Sequence, residues 1–252
     1  MTGRPTSGQA GPHAGEQGQS SVVGVALLLG ATVLALGVLT AGIGSMVDAH
    51  AARTDADRVA TDLEDAIRPV ETTGHRTAEV RFARGDLSTV ERDLRVLESG
   101  TVVADVAVGG LVFERGDRRV RSVGGAVIRG RGEAAWPVSG PPVVGSGDTG
   151  VLVVGAAKLN ASGQSVGGRQ VSATVRTNVS HRRRTLGSGE FAVAIETDAH
   201  SALGTALRER GATAIDRRDI DGDGLDSVVA TFPGTRTGYL VVHDMRLEVS
   251  DG

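Results

Sequence analysis

The sequence predicts an α+β protein, in which one long N-terminal α-helix precedes a mainly antiparallel β head domain. Two observations support this fold class. Residues 20–47 form a run of 28 residues without a charged side chain. A helix of that length exceeds the roughly 30 Å hydrocarbon core of a bilayer. From residue 72 onward, short stretches of alternating apolar and polar residues are separated by turn residues, a pattern typical of antiparallel strands.

The first segment, residues 1–18, is rich in Gly, Pro and polar residues and has no hydrophobic periodicity. Such a segment cannot bury enough apolar area to offset its ordering entropy, so we expect a disordered leader. The apolar run that follows is too long for the core of a secretory signal peptide and lacks a small-residue cleavage site at its end. We therefore expect residues 20–47 to remain in the protein as a transmembrane segment.

Helical character continues beyond the apolar run as an amphipathic pattern. Val59, Leu63 and Ile67 recur at helical spacing, whereas charged residues occupy the positions between them. Pro69 cannot continue a helix, so the end is expected near Ile67 or Arg68. The predicted helical region is 19–70, with a first half suited to lipid and a second half suited to a globular partner. Residues 71–252 form the predicted head.

The head is predicted from strand patterns and one short helix. The predicted strands are 76–82, 101–108, 111–114, 119–123, 126–129, 151–157, 170–179, 190–196, 227–232 and 239–249. Residues 199–210 predict a helix that Gly211 stops. The composition of residues 139–150 predicts a loop, and the basic run 181–184 predicts a solvated hairpin turn. The last two strands are expected to pair with each other.

Composition excludes several classes of function. The net charge of −3 is nearly balanced, which argues against nucleic-acid binding and against a polybasic membrane patch. Cysteine is absent, so disulfides, thiolate metal sites and thiol nucleophiles are excluded. Lys158 is the only lysine among many arginines. This bias is explained equally by a halophilic archaeal protein surface and by the codon bias of a high-GC genome.

The junction between leader and helix carries a family resemblance. Gly18-Gln19-Ser20-Ser21, followed directly by the apolar run, resembles the start of archaeal, especially haloarchaeal, type IV pilin-like proteins. The resemblance covers residues 15 to about 47. It implies a class III signal peptide that prepilin peptidase cuts after Gly18, leaving Gln19 first. It further implies a helix that anchors the subunit in the membrane and later packs with other pilin-like subunits in a cell-surface filament.

An uncut membrane anchor is the alternative interpretation of the same segment. In that case the chain is a permanently anchored extracytoplasmic binding domain that does not polymerise. Only the pilin-like interpretation requires Gln19 as the mature N-terminus.

Both asparagines of the chain lie in N-glycosylation motifs, Asn160-Ala161-Ser162 and Asn178-Val179-Ser180. Glycosylation requires exposure outside the cytoplasm, which the predicted anchor provides. Asn160 lies in a polar loop by composition, so it is the better predicted acceptor. Asn178 lies towards the end of a predicted strand.

A cluster of aspartates near the C-terminus predicts a calcium site. Asp219, Asp221 and Asp223 occupy every second position, and Gly222 and Gly224 follow the last two of them. Asp226 is a further possible ligand. Calcium prefers six to eight oxygen ligands around such a sharp turn. The twelfth position of an EF-hand loop would be Ala230 rather than Glu, so an acidic turn before a strand is the alternative.

No sequence pattern predicts catalysis. The six histidines lack the paired spacing of a metal site, and neither a Gly-x-Ser-x-Gly elbow nor a Gly-rich phosphate loop with Lys occurs. We therefore expect a non-enzymatic structural and interaction protein, with the membrane as a partner. No nucleic acid and no small-molecule substrate is inferred, and calcium is the single cofactor considered.

Overall fold

The computed structural model describes residues 17–68, 72–145 and 150–251, with side chains from Val22 onward. Most of the predicted leader lies outside the described residues. Contacts divide the chain into two compact units, Met1–His50 and Ala51–Gly252. The second unit is called the head.

The first unit contains the beginning of helix α1, which spans Gln17–Ile67. Gly18 and Gln19 lie inside this helix, so it starts two residues before the predicted position. Every side chain described between Val22 and His50 is exposed. By length and composition, the helix is apolar enough to cross a membrane.

In the head, the last part of α1 is amphipathic, as the sequence pattern predicts. Ala56, Val59, Leu63 and Ile67 are fully buried, whereas the charged residues between them are exposed or half-buried. The helix ends at Ile67, in agreement with the predicted end. The α+β fold class is confirmed.

Fifteen strands form two sheets among the residues described. Their bounds are β1 Gly74–Val90, β2 Asp93–Glu98, β3 Thr101–Ala107, β4 Gly110–Arg115, β5 Arg118–Val123, β6 Ala126–Arg129, β7 Trp136–Ser139, β8 Val143–Gly145, β9 Val151–Lys158, β10 Ser165–Gly189, β11 Phe191–Glu196, β12 Ala214–Arg218, β13 Ser227–Thr231, β14 Arg236–Asp244 and β15 Glu248–Asp251. The 10-stranded sheet has the order β7-β6-β5-β4-β1-β10-β14-β9-β8, with β15 also paired to β10. The 5-stranded sheet has the order β12-β13-β11-β2-β3. Pairing is antiparallel except between β14 and β9.

Two hydrophobic cores lie on opposite faces of the larger sheet. One face packs against α1, where Leu63 and Val59 meet Phe82 and Phe113 in one cluster. The other face packs against the smaller sheet and against helix α2, His200–Glu209, whose Leu203 is fully buried. The head is therefore layered as helix, large sheet, small sheet.

Carboxylates of α1 also bind the backbone of β1. Asp62 Oδ2 accepts the N–H of Arg81 at 3.1 Å, and Asp55 Oδ2 accepts the N–H of Ala83 at 3.0 Å. Asp55 is buried and also pairs with Arg115 of β4. These contacts satisfy strand donors that would otherwise be available for pairing with another chain.

Two expectations about the head are wrong. The basic run 181–184 is not a turn but the middle of β10, paired with β14 from Ser180 to Gly189. Its charges fit a strand because Arg183 lies 4.5 Å from the ring centroid of Tyr239, and Arg184 Nη2 donates to the carbonyl of Val103 at 2.6 Å. Arginines whose guanidinium groups have partners on the two faces of a sheet can lie within a strand rather than in a loop.

The predicted pairing of the last two strands is also wrong, because β13 and β14 lie in different sheets. The connection between them is fixed by Arg236, a buried residue at the start of β14. Its Nε donates to the carbonyl of Pro233 at 2.9 Å, and its Nη1 to that of Val151 at 3.3 Å. The predicted last strand is split into β14 and β15, and the predicted loop 139–150 contains the short strand β8.

Candidate functional site

A buried arginine organises the most highly charged part of the head. Arg95 of β2 is only 3% exposed. Its Nη1 donates to Glu196 Oε1 at 2.6 Å, and its Nη2 donates to Asp93 Oδ2 and Asp221 Oδ2, each at 2.6 Å. Nε adds Asp105 at 3.2 Å. One guanidinium thus donates hydrogen bonds to four carboxylates, so these five side chains together carry more negative than positive charge.

The strand register brings these residues together. Arg95 lies opposite Ala194, and Asp93 is one step beyond the pair formed by Leu94 and Ile195. Asp93 and Glu196 therefore end adjacent strands, where the Asp93 N–H donates to Glu196 Oε2 at 2.9 Å. Asp221 reaches the same point from the loop after β12.

Burial and neighbouring charges change the pKa values of Asp93, Glu196 and Arg95. Burial raises the pKa of Asp93, and the nearby Asp105 carboxylate raises it further, although Arg95 opposes both effects. Burial also raises the pKa of Glu196, against hydrogen bonds from Asp93 and Arg95. Arg95 itself is desolvated, yet the hydrogen bonds that it donates to Glu196 and Asp105 raise its pKa overall, so it stays charged.

A cleft of about 510 Å³ lies over these carboxylates and is called the acidic cleft. Its lining residues are Val90, Glu91, Arg92, Asp93, Ala107, Gly109, Lys158, Asn160, Ala161, Ser162, Glu196, Asp223 and Leu225. It therefore joins three features of the sequence: the single lysine, one glycosylation motif and the aspartate-rich loop.

The aspartate-rich loop brings three of its four predicted ligands together. Carboxylate oxygens of Asp219, Asp221 and Asp223 lie within 4.8 Å of one another, and those of Asp93, Glu196 and Asp221 form a second such group. Asp226 lies outside both groups, and its carboxylate accepts a hydrogen bond from Arg217 Nε at 2.7 Å.

Internal hydrogen bonds already hold this loop. Asp219 accepts the N–H of Gly222 at 2.8 Å and of Gly224 at 3.1 Å, and Asp223 accepts that of Leu225 at 2.7 Å. Each carboxylate oxygen retains a further lone pair, so the exposed trio 219, 221 and 223 still fits a divalent cation. In the second trio, the Arg95 guanidinium already supplies the positive charge.

The two glycosylation motifs differ in access. Asn160 is exposed in the loop after β9, with a positive φ of 53°, and its Nδ2 donates to Asp244 Oδ1 at 3.3 Å. Asn178 lies within β10, opposite His75 of β1, and is only partly exposed. A glycan on Asn160 would project from the rim of the acidic cleft.

The sequence does not point to Arg95 and Asp93, because it predicts no strand at 93–98, and it places Glu196 at the end of a predicted strand without indicating a partner. A signal is visible in retrospect: Asp93, Arg95 and Leu97 alternate with Leu94 and Val96. Charged residues on one face of an alternating strand are expected at the outer face of a sheet. Their mutual contact depends on register across β11, which one sequence does not provide.

The comparisons with known proteins give one result. Searches of curated proteins and of solved structures find no match. A family model matches residues 17–248, a span that runs from the first turn of α1 to the first residue of β15. The chain therefore belongs to DUF7289, described as a family of unknown function.

Proposed function

We propose that this protein is a type IV pilin-like surface subunit, of the minor kind, whose head lies outside the cell. The first part of α1 anchors it in the membrane and then packs against the helices of other pilin-like subunits in a filament. Prepilin peptidase is the processing enzyme in this proposal. The role is structural or adhesive rather than catalytic.

The observation that carries the proposal is the change of exposure within one helix. Side chains from Val22 to His50 are all exposed, whereas from Ala52 onward one face is buried in the head. Exposed residues in the first part include Leu28, at 71%, and Leu34, at 73%. Covering apolar surface gains about 25 cal/mol per Å², so this segment requires lipid or other apolar helices around it.

Glycines in the apolar segment suit close packing against another helix. A Cβ atom added at Gly30, Gly37 or Gly44 would meet nothing within 4 Å in this chain. Small residues on apolar helices allow two backbones to approach closely. The same positions suit packing within a filament and packing between anchors in a bilayer.

A permanently anchored binding domain is the second candidate function. The feature in its favour is Ser21, because many pilins of this type carry Glu at the third mature position. In this candidate the acidic cleft would face the outside of the cell on a helix that is never extracted.

The mature N-terminus distinguishes the two candidates. Mass spectrometry of the protein from native membranes is expected to find Gln19 as the first residue. Gly18→Val is expected to block that cut, whereas Gly24→Val, within the apolar segment, leaves it unchanged. An intact N-terminus in the wild-type protein, at Met1 or Thr2, would exclude the pilin-like proposal and leave the anchored domain.

Protease treatment of intact cells tests the orientation. We expect residues beyond about 70 to be degraded and the N-terminal side of α1 to be protected. Protection of the head would place it in the cytoplasm, where neither filament assembly nor glycosylation of Asn160 could occur.

A further inference from the structure

A second cavity, of about 340 Å³, lies in the head beside the buried part of α1. It is called the arginine cavity, because the charged residues in its lining are four arginines and one aspartate. They are Arg118, Arg119, Arg129, Arg131 and Asp117. Trp136, the single tryptophan of the chain, completes the wall.

The turn between β6 and β7 builds this wall. Trp136 is the cross-strand partner of Arg129, whose guanidinium carbon lies 5.2 Å from the ring centroid. Gly130 has a φ of +100°, and a Cβ atom there would lie 2.6 Å from the Ala134 carbonyl oxygen. Only glycine fits this close return of the chain, so the position of the tryptophan is fixed by the backbone.

Hydrogen bonds from β5 hold the same turn. The Gly130 N–H donates to the carbonyl of Arg119, and Arg121 Nη2 donates to the carbonyl of Gly130, each at 2.8 Å. Arg121 is buried, and its Nε has no hydrogen-bond partner among the described residues. The cavity is therefore a preformed feature of the sheet rather than a gap between loose loops.

Positive charge exceeds negative charge around the cavity. Arg129 pairs with Asp57, Glu114 is shared by Arg119 and Arg131, and Asp198 is shared by Arg119 and Arg121. With Arg53 and the pair of Arg118 and Asp117, six arginines face four carboxylates. Burial and the charge of Arg53 lower the pKa of Arg129, as expected where positive charge is incompletely neutralised.

Trp136 remains 47% exposed although the protein has few aromatic residues. Its indole contributes little to either core, since it is in neither buried cluster. A half-exposed indole beside guanidinium groups can stack its free surface on the C–H face of a sugar ring while the arginines bind an attached anion. The volume, within the usual range for ligand pockets, fits one or two sugar rings.

We propose that the arginine cavity binds an acidic saccharide, with a sugar ring on Trp136 and its carboxylate on Arg118 and Arg131. This inference goes beyond the proposed function and does not depend on it, because an anchored domain could use the site equally well. Among the ion-paired arginines around the cavity, Arg118 and Arg131 have the most exposed side chains, at 38% and 48%. They can therefore reorient towards a ligand without breaking the core.

Fluorescence of the single tryptophan tests the site directly. The full-length protein in a non-ionic detergent would be titrated with digalacturonate, and with glucose as the neutral control at matched ionic strength. We expect a saturable change of Trp136 emission with digalacturonate, none with glucose, and weaker binding as salt rises.

Variants test the assigned contacts. Arg118→Gln and Arg131→Gln are each expected to weaken digalacturonate binding at least tenfold. Arg183→Gln removes the other stacked arginine of the head, at Tyr239, and is expected to leave binding unchanged. Trp136→Ala removes the fluorophore, so its binding is measured by calorimetry and is expected to fall at least tenfold. Melting curves confirm that each variant is folded.

Three outcomes would overturn the proposal. Absence of saturable binding in wild-type protein at tens of millimolar digalacturonate would exclude a saccharide site. Equal competition by inorganic phosphate or by a polyglutamate peptide would show a general anion site instead. Digalacturonate binding that neither Arg118→Gln nor Arg131→Gln weakens would also exclude the assigned contacts.

Discussion

Replacing Arg95 with methionine is expected to destabilise the head strongly at neutral pH. Methionine matches the length of the aliphatic part of arginine but removes the charge. Arg95 is buried and is the common partner of Asp93, Glu196 and Asp221. Its removal leaves these carboxylates close together, within 4.8 Å, without a counter-charge. Breaking a buried ion pair in this way costs about 3–5 kcal/mol.

The magnitude converts to a measurable melting shift. For domains of about 150–250 residues, each kcal/mol corresponds to roughly 2–4 °C in Tm, so a loss of about 6–20 °C is expected. Arg95→Lys retains the charge but not the planar fork, so it should lose less than the methionine variant. Arg218→Met is the matched control, because Arg218 is 52% exposed and lies 3.9 Å from Asp216. It is expected to change stability by less than about 1 kcal/mol.

The pH dependence provides the decisive readout. Burial raises the folded-state pKa of Asp93 and Glu196 above 3.8 and 4.5. The folded state therefore binds more protons than the unfolded state, so this contribution favours folding below these values and is lost as pH rises through the raised pKa values. Without Arg95 both pKa values rise further, so the carboxylates of the methionine variant become protonated as pH falls towards 4. The difference in Tm between wild type and the methionine variant should therefore become smaller at low pH.

Thermal melts of the full-length protein in detergent, at pH 4 to 8, measure both effects. A methionine variant that melts within 2 °C of wild type at pH 7 would refute the claim that Arg95 is needed to hold the carboxylates. A deficit that is equal at all pH values would attribute the loss to packing rather than to charge.

Three further predictions concern other parts of the head. Asp55→Ala is expected to lower stability by about 3–5 kcal/mol in denaturant titrations, because it removes the carboxylate that pairs with buried Arg115 and accepts from two strand N–H groups; a loss below 1 kcal/mol would contradict this. In protein from native membranes, intact-mass measurement of Asn160→Gln is expected to show loss of a glycan that Asn178→Gln retains, and the reverse result would contradict the access argument. Calcium at ten times its Kd is expected to stabilise wild type by about 1.4 kcal/mol, and Asp219→Asn with Asp223→Asn should abolish the gain; identical melts with and without calcium would leave an acidic turn.

The extent of helix α1 could be predicted because the signals that determine it are local in the sequence. The uncharged run, the spacing of Val59, Leu63 and Ile67, and the following proline each depend on neighbouring residues only. The hairpin of β4 and β5 is equally local, with its turn at Gly116. The predicted bounds of these two strands are therefore close to those of the structure.

Pairing between strands far apart in the sequence could not be predicted, because it depends on contacts between distant residues. From the local sequence, β10 is predicted to end before the basic run 181–184. In the structure it continues through His181 to Gly189, where it pairs with β14. Likewise β13 and β14 are near in sequence but pair in separate sheets, since Arg236 redirects the chain between them. The same limit applies to the site: Asp221 was predicted as a cation ligand, whereas its contact with Arg95 spans 126 positions.

The last part of α1 is a structural element of the head. Residues 52–67 supply one wall of a core, and Asp55 and Asp62 bind backbone donors of β1. A domain boundary placed at residue 71 would remove this wall and expose Phe82 and Leu87 to water. The boundary that the contacts support is Ala51. The amphipathic part of α1 is thus as much a component of the head as the strands are.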